Sequence, residues 1–144
     1  MIIRKMTEED LEQVVAIEEQ CFSMPWSRKS FLDSISREDT IFFVAEDTKM
    51  ILGYIGMYIA FEEGEITNVA VLPQCRKQGV GNELVTSMQA VAKEFELERI
   101  VLEVRVSNEH AICLYKKNGF AELGVRKNFY EQPTEDAYIM ACEI

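Results

Sequence analysis

The sequence is short of the residues that metal and disulfide chemistry need. Its 144 residues hold one histidine, His110, and four cysteines, at 21, 75, 113 and 142. None of the cysteines stands in a C-x-x-C pair, so no zinc-ligand spacing is present and no metal site is expected. Cysteines scattered in this way read as reduced and mostly buried. His110 and Cys113 are three apart on an expected helix. They form a conceivable thiol–imidazole pair, but no third group is evident to orient it.

Glycine (7) and proline (3) are also scarce, which excludes collagenous, linker-rich and low-complexity chains. No apolar run approaches the ~20 residues of a membrane-spanning helix. The start, Met1-Ile2-Ile3-Arg4-Lys5, lacks the apolar stretch of an export signal, so the cytoplasm is the expected location. Positive charge is the last shortage. Fifteen Lys and Arg face 25 Asp and Glu, a net charge of −10. That balance disfavours nucleic acid and anionic membrane as partners. It suits a basic or amine-bearing partner, and it equally serves solubility alone.

What is present is a core. Apolar side chains make up 48% of the chain, and the length fits one domain spanning residues 1–144, with no linker or repeat. A strand is expected at 2–5 and a helix from Thr7 to about 22, with Asp10 placed for an imperfect capping box. Met24-Pro25-Trp26 breaks that helix, and Ser27 caps a second short one. Residues 40–46 and 51–61 read as a hairpin, 62–65 as a turn and 66–72 as a strand ended by Pro73. A helix over 79–95 and an apolar strand over 99–106 complete a βαβ unit, which implies a parallel strand pair. Asn108 to Asn118 reads as a helix stopped by Gly119. Residues 120–125 and 137–143 read as closing strands around a polar loop at 126–136. The expected class is α/β, a mixed sheet with helices on both faces.

Three features carry chemistry. In Gln74-Cys75-Arg76-Lys77-Gln78-Gly79-Val80-Gly81-Asn82, two glycines sit where a helix begins. The free N–H groups and dipole of a helix start favour anions, and Arg76 and Lys77 add charge. This is a diphosphate cradle by construction, or else a tight strand-to-helix turn eased by glycine. It is neither a P-loop nor a good dinucleotide fingerprint. Glu103 interrupts an otherwise buried strand, where a carboxylate is costly unless paired or useful. It is either a general base whose pKa burial raises, or the structural partner of Arg105 on the same strand face. Tyr115 lies two helical turns after Asn108, an expected N-cap. Alone it reads as a core aromatic or as a proton donor.

Asn68-Val69-Ala70-Val71-Leu72-Pro73, then Arg76-Lys77-Gln78-Gly79-Val80-Gly81, then Asn108 with Leu114-Tyr115-Lys116-Lys117-Asn118-Gly119-Phe120, together resemble the GNAT superfamily of acetyl-CoA-dependent N-acetyltransferases. The resemblance runs the length of the chain in order. It implies a GNAT fold, mostly antiparallel, in which the strand at 66–72 splays from the one at 99–106 and acetyl-CoA lies in the gap. The backbone of Val69, Ala70 and Val71 would bind the pantetheine arm. Lys77, Gln78, Gly79, Val80, Gly81 and Asn82 would hold the diphosphate, and Asn108 would touch the cofactor from the other side. Glu103 would be the base that frees the attacking amine, an N–H near Val71 would face the oxyanion, and Tyr115 would be the acid that protonates the departing thiolate.

Segments 22–27, 102–108 and 126–130 are most similar to the branch that acts on protein N-termini. The acceptor so implied is the N-terminal alanine of ribosomal protein S18, or a similar protein N-terminus. Segment 22–31 and the loop at 126–136 would flank its channel, with Trp26 and Tyr130 contacting it. A monomer acting without metal is expected. A lysine side chain or small amine as acceptor, and a CoA-binding module without turnover, stay open.

Overall fold

The computed structural model describes residues 1–144. The elements are β1 (Ile2–Lys5), a 3-10 turn (Glu8–Asp10), α1 (Leu11–Cys21), α2 (Arg28–Ile35), β2 (Thr40–Asp47), β3 (Met50–Ala60) and β4 (Glu63–Val71). After a second 3-10 turn (Pro73–Cys75) come α3 (Val80–Glu94), β5 (Arg99–Arg105), α4 (Glu109–Lys117), β6 (Ala121–Tyr130) and β7 (Glu135–Glu143). The seven strands form one sheet in the order β1-β2-β3-β4-β5-β7-β6. Every neighbouring pair is antiparallel except β4–β5.

That parallel pair decides the architecture. β4 and β5 are joined only at Glu63–Arg99, Gly64–Ile100 and Glu65–Val101. Beyond these, β4 continues to Val71 and β5 to Arg105 with no partner between them. Each keeps its outer neighbour: Val71 still pairs with Gly53 of β3, and Arg105 with Ala137 of β7. The sheet therefore opens into a wedge at its centre.

A β-bulge sits where the wedge begins. Met57 pairs with Ile66 and Gly56 with Asn68, so Thr67 is the extra residue. A bulge bends its strand and re-aims the side chains that follow. Here it puts Asn68 on the face that Glu65 occupies, because Tyr58 and Gly56, their partners, are two apart on β3. That face carries α1 and α2: Tyr54 of β3 packs edge-on against Phe31 of α2 at 5.6 Å. The opposite face carries α3. A Cβ on Gly53 would stand 3.3 Å from Leu84 of α3 and 2.7 Å from the Ala70 carbonyl oxygen, so only glycine allows that approach.

Helix α3 buries Val80, Leu84, Val85, Met88 and Ala92 on one stripe, as their spacing dictates. Truncating the fully buried Leu84 to alanine would cost about 2–5 kcal/mol. Three local expectations differ from the structure. Glu63-Gly64-Glu65 is strand rather than turn, because pairing on both sides overrides its turn-like composition. The reversal falls at Phe61, with φ 57°. β6 runs on to Tyr130, so most of the expected loop at 126–136 is hairpin, with Arg126 opposite Ala137 and Tyr130 opposite Glu135. A 3-10 turn precedes α1 where one helix from Thr7 was expected.

Candidate active site

The wedge leaves backbone groups on one edge of β4 without strand partners. Buried N–H and C=O groups cannot stay unpaired cheaply, so this edge is built to be completed by something else. Val69, Ala70 and Val71 lie on it. At its far end Gly79 stands in the left-handed region, φ 82°, as the residue before α3. A Cβ there would meet nothing within 4 Å, so the space is open and only the backbone conformation demands glycine. Lys77 has φ 65°, and Lys77, Gln78 and Gly79 are exposed. The N–H groups of Val80, Gly81 and Asn82 have no acceptor within the chain, whereas that of Glu83 donates to the Gly79 carbonyl at 3.0 Å. A run of free amides at a helix start, beside an open glycine, fits an anion such as a diphosphate.

Gly81 serves a second purpose. A Cβ on it would be 3.0 Å from Leu114, so it lets α3 lie close to α4. The Asn118 side chain donates to Asn82 Oδ1 at 3.0 Å across the same contact. Asn108 is the N-cap of α4, its Oδ1 accepting from the Ala111 N–H at 3.2 Å, and it stands exposed at the β5 side of the wedge.

Glu103 lies on β5 beyond the last paired residue and faces the α1–α2 side of the sheet, like Glu65 and Val101. It borders a groove of ≈ 360 Å³ lined also by Glu65, Val101, Leu123, Arg126 and Phe129. Its side chain is 18% exposed, enough to reach solvent and too little to be fully hydrated. Burial pushes its pKa above the ordinary carboxylate value, and the nearby Glu65 charge pushes the same way. Arg126, whose Nε is 3.7 Å from Oε1, pulls it back in part.

Arg105 is not the partner of Glu103. Its guanidinium donates to the Pro133 and Glu131 carbonyls, both at 2.9 Å, and to Glu135 at 3.1 Å. It also lies 4.5 Å from the Tyr130 ring centroid. The β6–β7 turn has claimed it, which leaves Glu103 with no side-chain donor closer than Arg126.

Tyr115 is 3% exposed on α4, its ring 5.6 Å from that of Phe120. Burial raises its pKa, and the phenol of Tyr130 adds to the shift. Burial and the Glu103 charge push Tyr130 in turn up to about 12. Tyr130 thus feels the Glu103 charge and in turn acts on Tyr115. Trp26 lies on the sheet face that Glu103 also faces. Its ring packs 5.2 Å from Phe31 and 6.5 Å from Phe42 on the α2 side of the sheet.

Sequence reasoning had missed Glu65 and Arg126 as neighbours of Glu103. The alternation of β4 would have offered Glu65 had the strand start been placed at 63. Arg126 needed the extension of β6. No group of three or more metal-binding side chains occurs, and no helix is long and apolar enough to cross a membrane.

A sheet that parts between its only parallel strands, with an amide-lined helix start at the opening, defines a class of acyl-carrier-dependent transferases. Comparison agrees: residues 11–120 match the model of the acetyltransferase (GNAT) family. The chain belongs to that family and is an N-acetyltransferase. It is 39% identical over 139 residues (96% of this chain, 92% of the relative) to a Bacillus subtilis (strain 168) protein provisionally named a [ribosomal protein bS18]-alanine N-acetyltransferase. It is 34% identical over 155 residues (99% of this chain, 92% of the relative) to an N-alpha-acetyltransferase of Sulfurisphaera tokodaii. The crystal structure of the ribosomal-protein-S18-alanine N-acetyltransferase from Escherichia coli superposes with a TM-score of 0.92 at 30% identity, over 99% of this chain and 93% of that one.

Proposed function

We propose that the protein transfers the acetyl group of acetyl-CoA to the α-amine of a protein N-terminus, and that its acceptor is the N-terminal alanine of ribosomal protein S18. The observation that carries the reading is the wedge itself: an unpaired β4 edge leading from the amides of α3 to a half-buried carboxylate with no close side-chain donor. The names and coverage of the relatives support the acceptor. Bound acetyl-CoA would supply an activated acetyl thioester. Val69, Ala70 and Val71 would pair with its pantetheine arm. Lys77, Gln78, Gly79, Val80, Gly81 and Asn82 would hold its diphosphate, with Asn108 on the far side.

An α-amine has a pKa of about 7.7–8.0 and is mostly protonated at neutral pH. Glu103 takes that proton, directly or through one water, and the freed lone pair attacks. A raised pKa makes Glu103 a better proton acceptor. The Val71 N–H faces the oxygen on which charge develops. Tyr115, held protonated by burial, donates to the leaving sulfur. Tyr130 and Trp26 flank the acceptor. Residues 1–144 act as one domain, as a monomer in the cytoplasm, with neither metal nor nucleic acid.

The test is acetyl-CoA consumption with three acceptors: a peptide starting Ala-Arg, an N-terminally blocked peptide with an internal lysine, and a polyamine. Turnover confined to the free alanine amine is expected, with the added mass on the first residue. Equal or greater turnover on the lysine peptide or the polyamine would overturn the acceptor assignment. Binding of CoA without turnover on any amine would overturn the enzymatic reading.

A further inference from the structure

A second buried carboxylate lies on the same face of the sheet. Glu18, in the last turns of α1, is 2% exposed. Its Oε2 accepts from the backbone N–H of Trp26 at 2.9 Å. Its Oε1 accepts from the Tyr54 hydroxyl. The side-chain amide of Asn68 lies beside it and favours its charged form. These three neighbours come from different places. Trp26 belongs to the Phe22–Ser27 link between α1 and α2. Tyr54 lies on β3. Asn68 lies on β4 just past the bulge, within the stretch that has lost β5.

We propose that Glu18 is a positioning residue for the acceptor. Its carboxylate ties the α1–α2 link to the open strand, and so fixes one wall of the acceptor channel against the edge that holds the cofactor. This rests on reading segment 22–31 as a wall of that channel. Apart from the Trp26 ring, which packs on Phe31 and Phe42, the link has little else to hold it. Phe22, Met24 and Pro25 are exposed, and no backbone hydrogen bond is donated by Ser23 or Met24. A carboxylate has lone pairs enough for the Trp26 amide, the Tyr54 hydroxyl and a further amide beside them. The Asn68 geometry agrees. Its amide stabilises the Glu18 charge, while its Oδ1 is buried with no donor in the chain. An orphaned acceptor of that kind is a cost that orienting the amide toward a carboxylate explains.

The experiment measures amide hydrogen exchange at Trp26 and steady-state kinetics, in the wild type, Glu18→Met and Glu18→Gln. Methionine keeps the length and volume of the buried side chain and removes every acceptor. Glutamine can keep the tie. Its oxygen accepts from the Trp26 N–H, its NH2 faces a tyrosine hydroxyl free to turn, and Asn68 can flip to offer Oδ1. In the wild type the Trp26 amide should be protected although it lies in an irregular link. Glu18→Met should speed its exchange and raise the acceptor KM, each by about tenfold. The kcat and the acetyl-CoA Kd should stay within about twofold, and Glu18→Gln should restore both readouts. Free exchange at Trp26 in the wild type would overturn the proposal. So would a folded Glu18→Met with unchanged acceptor KM, or with acetyl-CoA binding weakened as much as acceptor binding. The KM is taken with whichever amine the wild type acetylates. A wrong acceptor assignment therefore shows in the wild type, and a wrong role for Glu18 shows only in the variants.

Discussion

Two carboxylate–tyrosine sets sit on either side of the opening in this sheet, and they are spent differently. On the α1 side, Glu18 takes the Tyr54 hydroxyl and the Trp26 amide, with the Asn68 amide beside them, so its oxygens are occupied. On the β5 side, Glu103 has a single cation at 3.7 Å, and the Tyr115 hydroxyl receives no hydrogen-bond partner from the chain. Burial raises the pKa of both carboxylates. Burial alone therefore does not mark a base. What separates the two is unoccupied lone pairs beside a space large enough for a substrate.

The largest expected effect breaks the comparison at Glu103. Glu103→Gln keeps size and burial and removes the basic lone pair. Turnover should fall by about 10²–10⁴-fold, with acetyl-CoA affinity unchanged by calorimetry because the β4 edge and the α3 amides are untouched. A Gln variant with wild-type turnover between pH 6 and 9 would mean that the amine sheds its proton to something else. Tyr115→Phe should follow, lowering the transfer rate by roughly 10²-fold. Single-turnover measurements isolate the step in which the thiol leaves, and equal rates there would return Tyr115 to the role of core aromatic. Loss of affinity for acetyl-CoA in either variant would point to packing rather than proton transfer.

The unequal sets also explain what was legible in the sequence. Glu103 was visible because it breaks a run of apolar residues on one strand. Gly79 and Gly81 were visible because a strand-to-helix turn needs them at that spacing. Asn108 was visible as a cap for the helix that carries Tyr115. Each of these signals is local. Glu18 was silent, since the Glu18-Glu19 pair on an amphipathic helix reads as solvated surface. Only a hydrogen bond to a residue 36 positions away shows otherwise. The fate of Arg105 was hidden for the same reason, its partners lying 26 to 30 positions on. The bulge at Thr67 leaves no mark in composition, and it decides that Asn68 shares a face with Glu65. Strands whose pairing is set by distant partners gave up their ends least readily, which is why β4 begins and β6 ends outside the expected limits.

The smallest effect sharpens the comparison by moving Glu103 without removing it. Arg126 holds its pKa down and Glu65 holds it up, and the side chains of both point into the groove. A base must be ionised to act, so activity is lost as pH falls through its pKa. Arg126→Gln removes the neighbouring cation, raises the Glu103 pKa further and should move the acid limb of the pH–kcat profile to higher pH. Glu65→Gln removes the neighbouring anion, lowers that pKa and should move the same limb to lower pH. Above the limb both variants should approach the wild-type rate. Opposite movement is the informative result, because a general loss of packing at the groove would depress the rate without shifting the limb in either direction. The free acceptor amine also titrates, at about 7.7–8.0, and contributes to kcat/KM at limiting acceptor. Its limb belongs to the substrate and cannot move with an enzyme side chain. An acid limb in kcat that stays fixed in both variants would therefore belong to some group other than Glu103, and the difference drawn between the two carboxylates would fail at its stronger member.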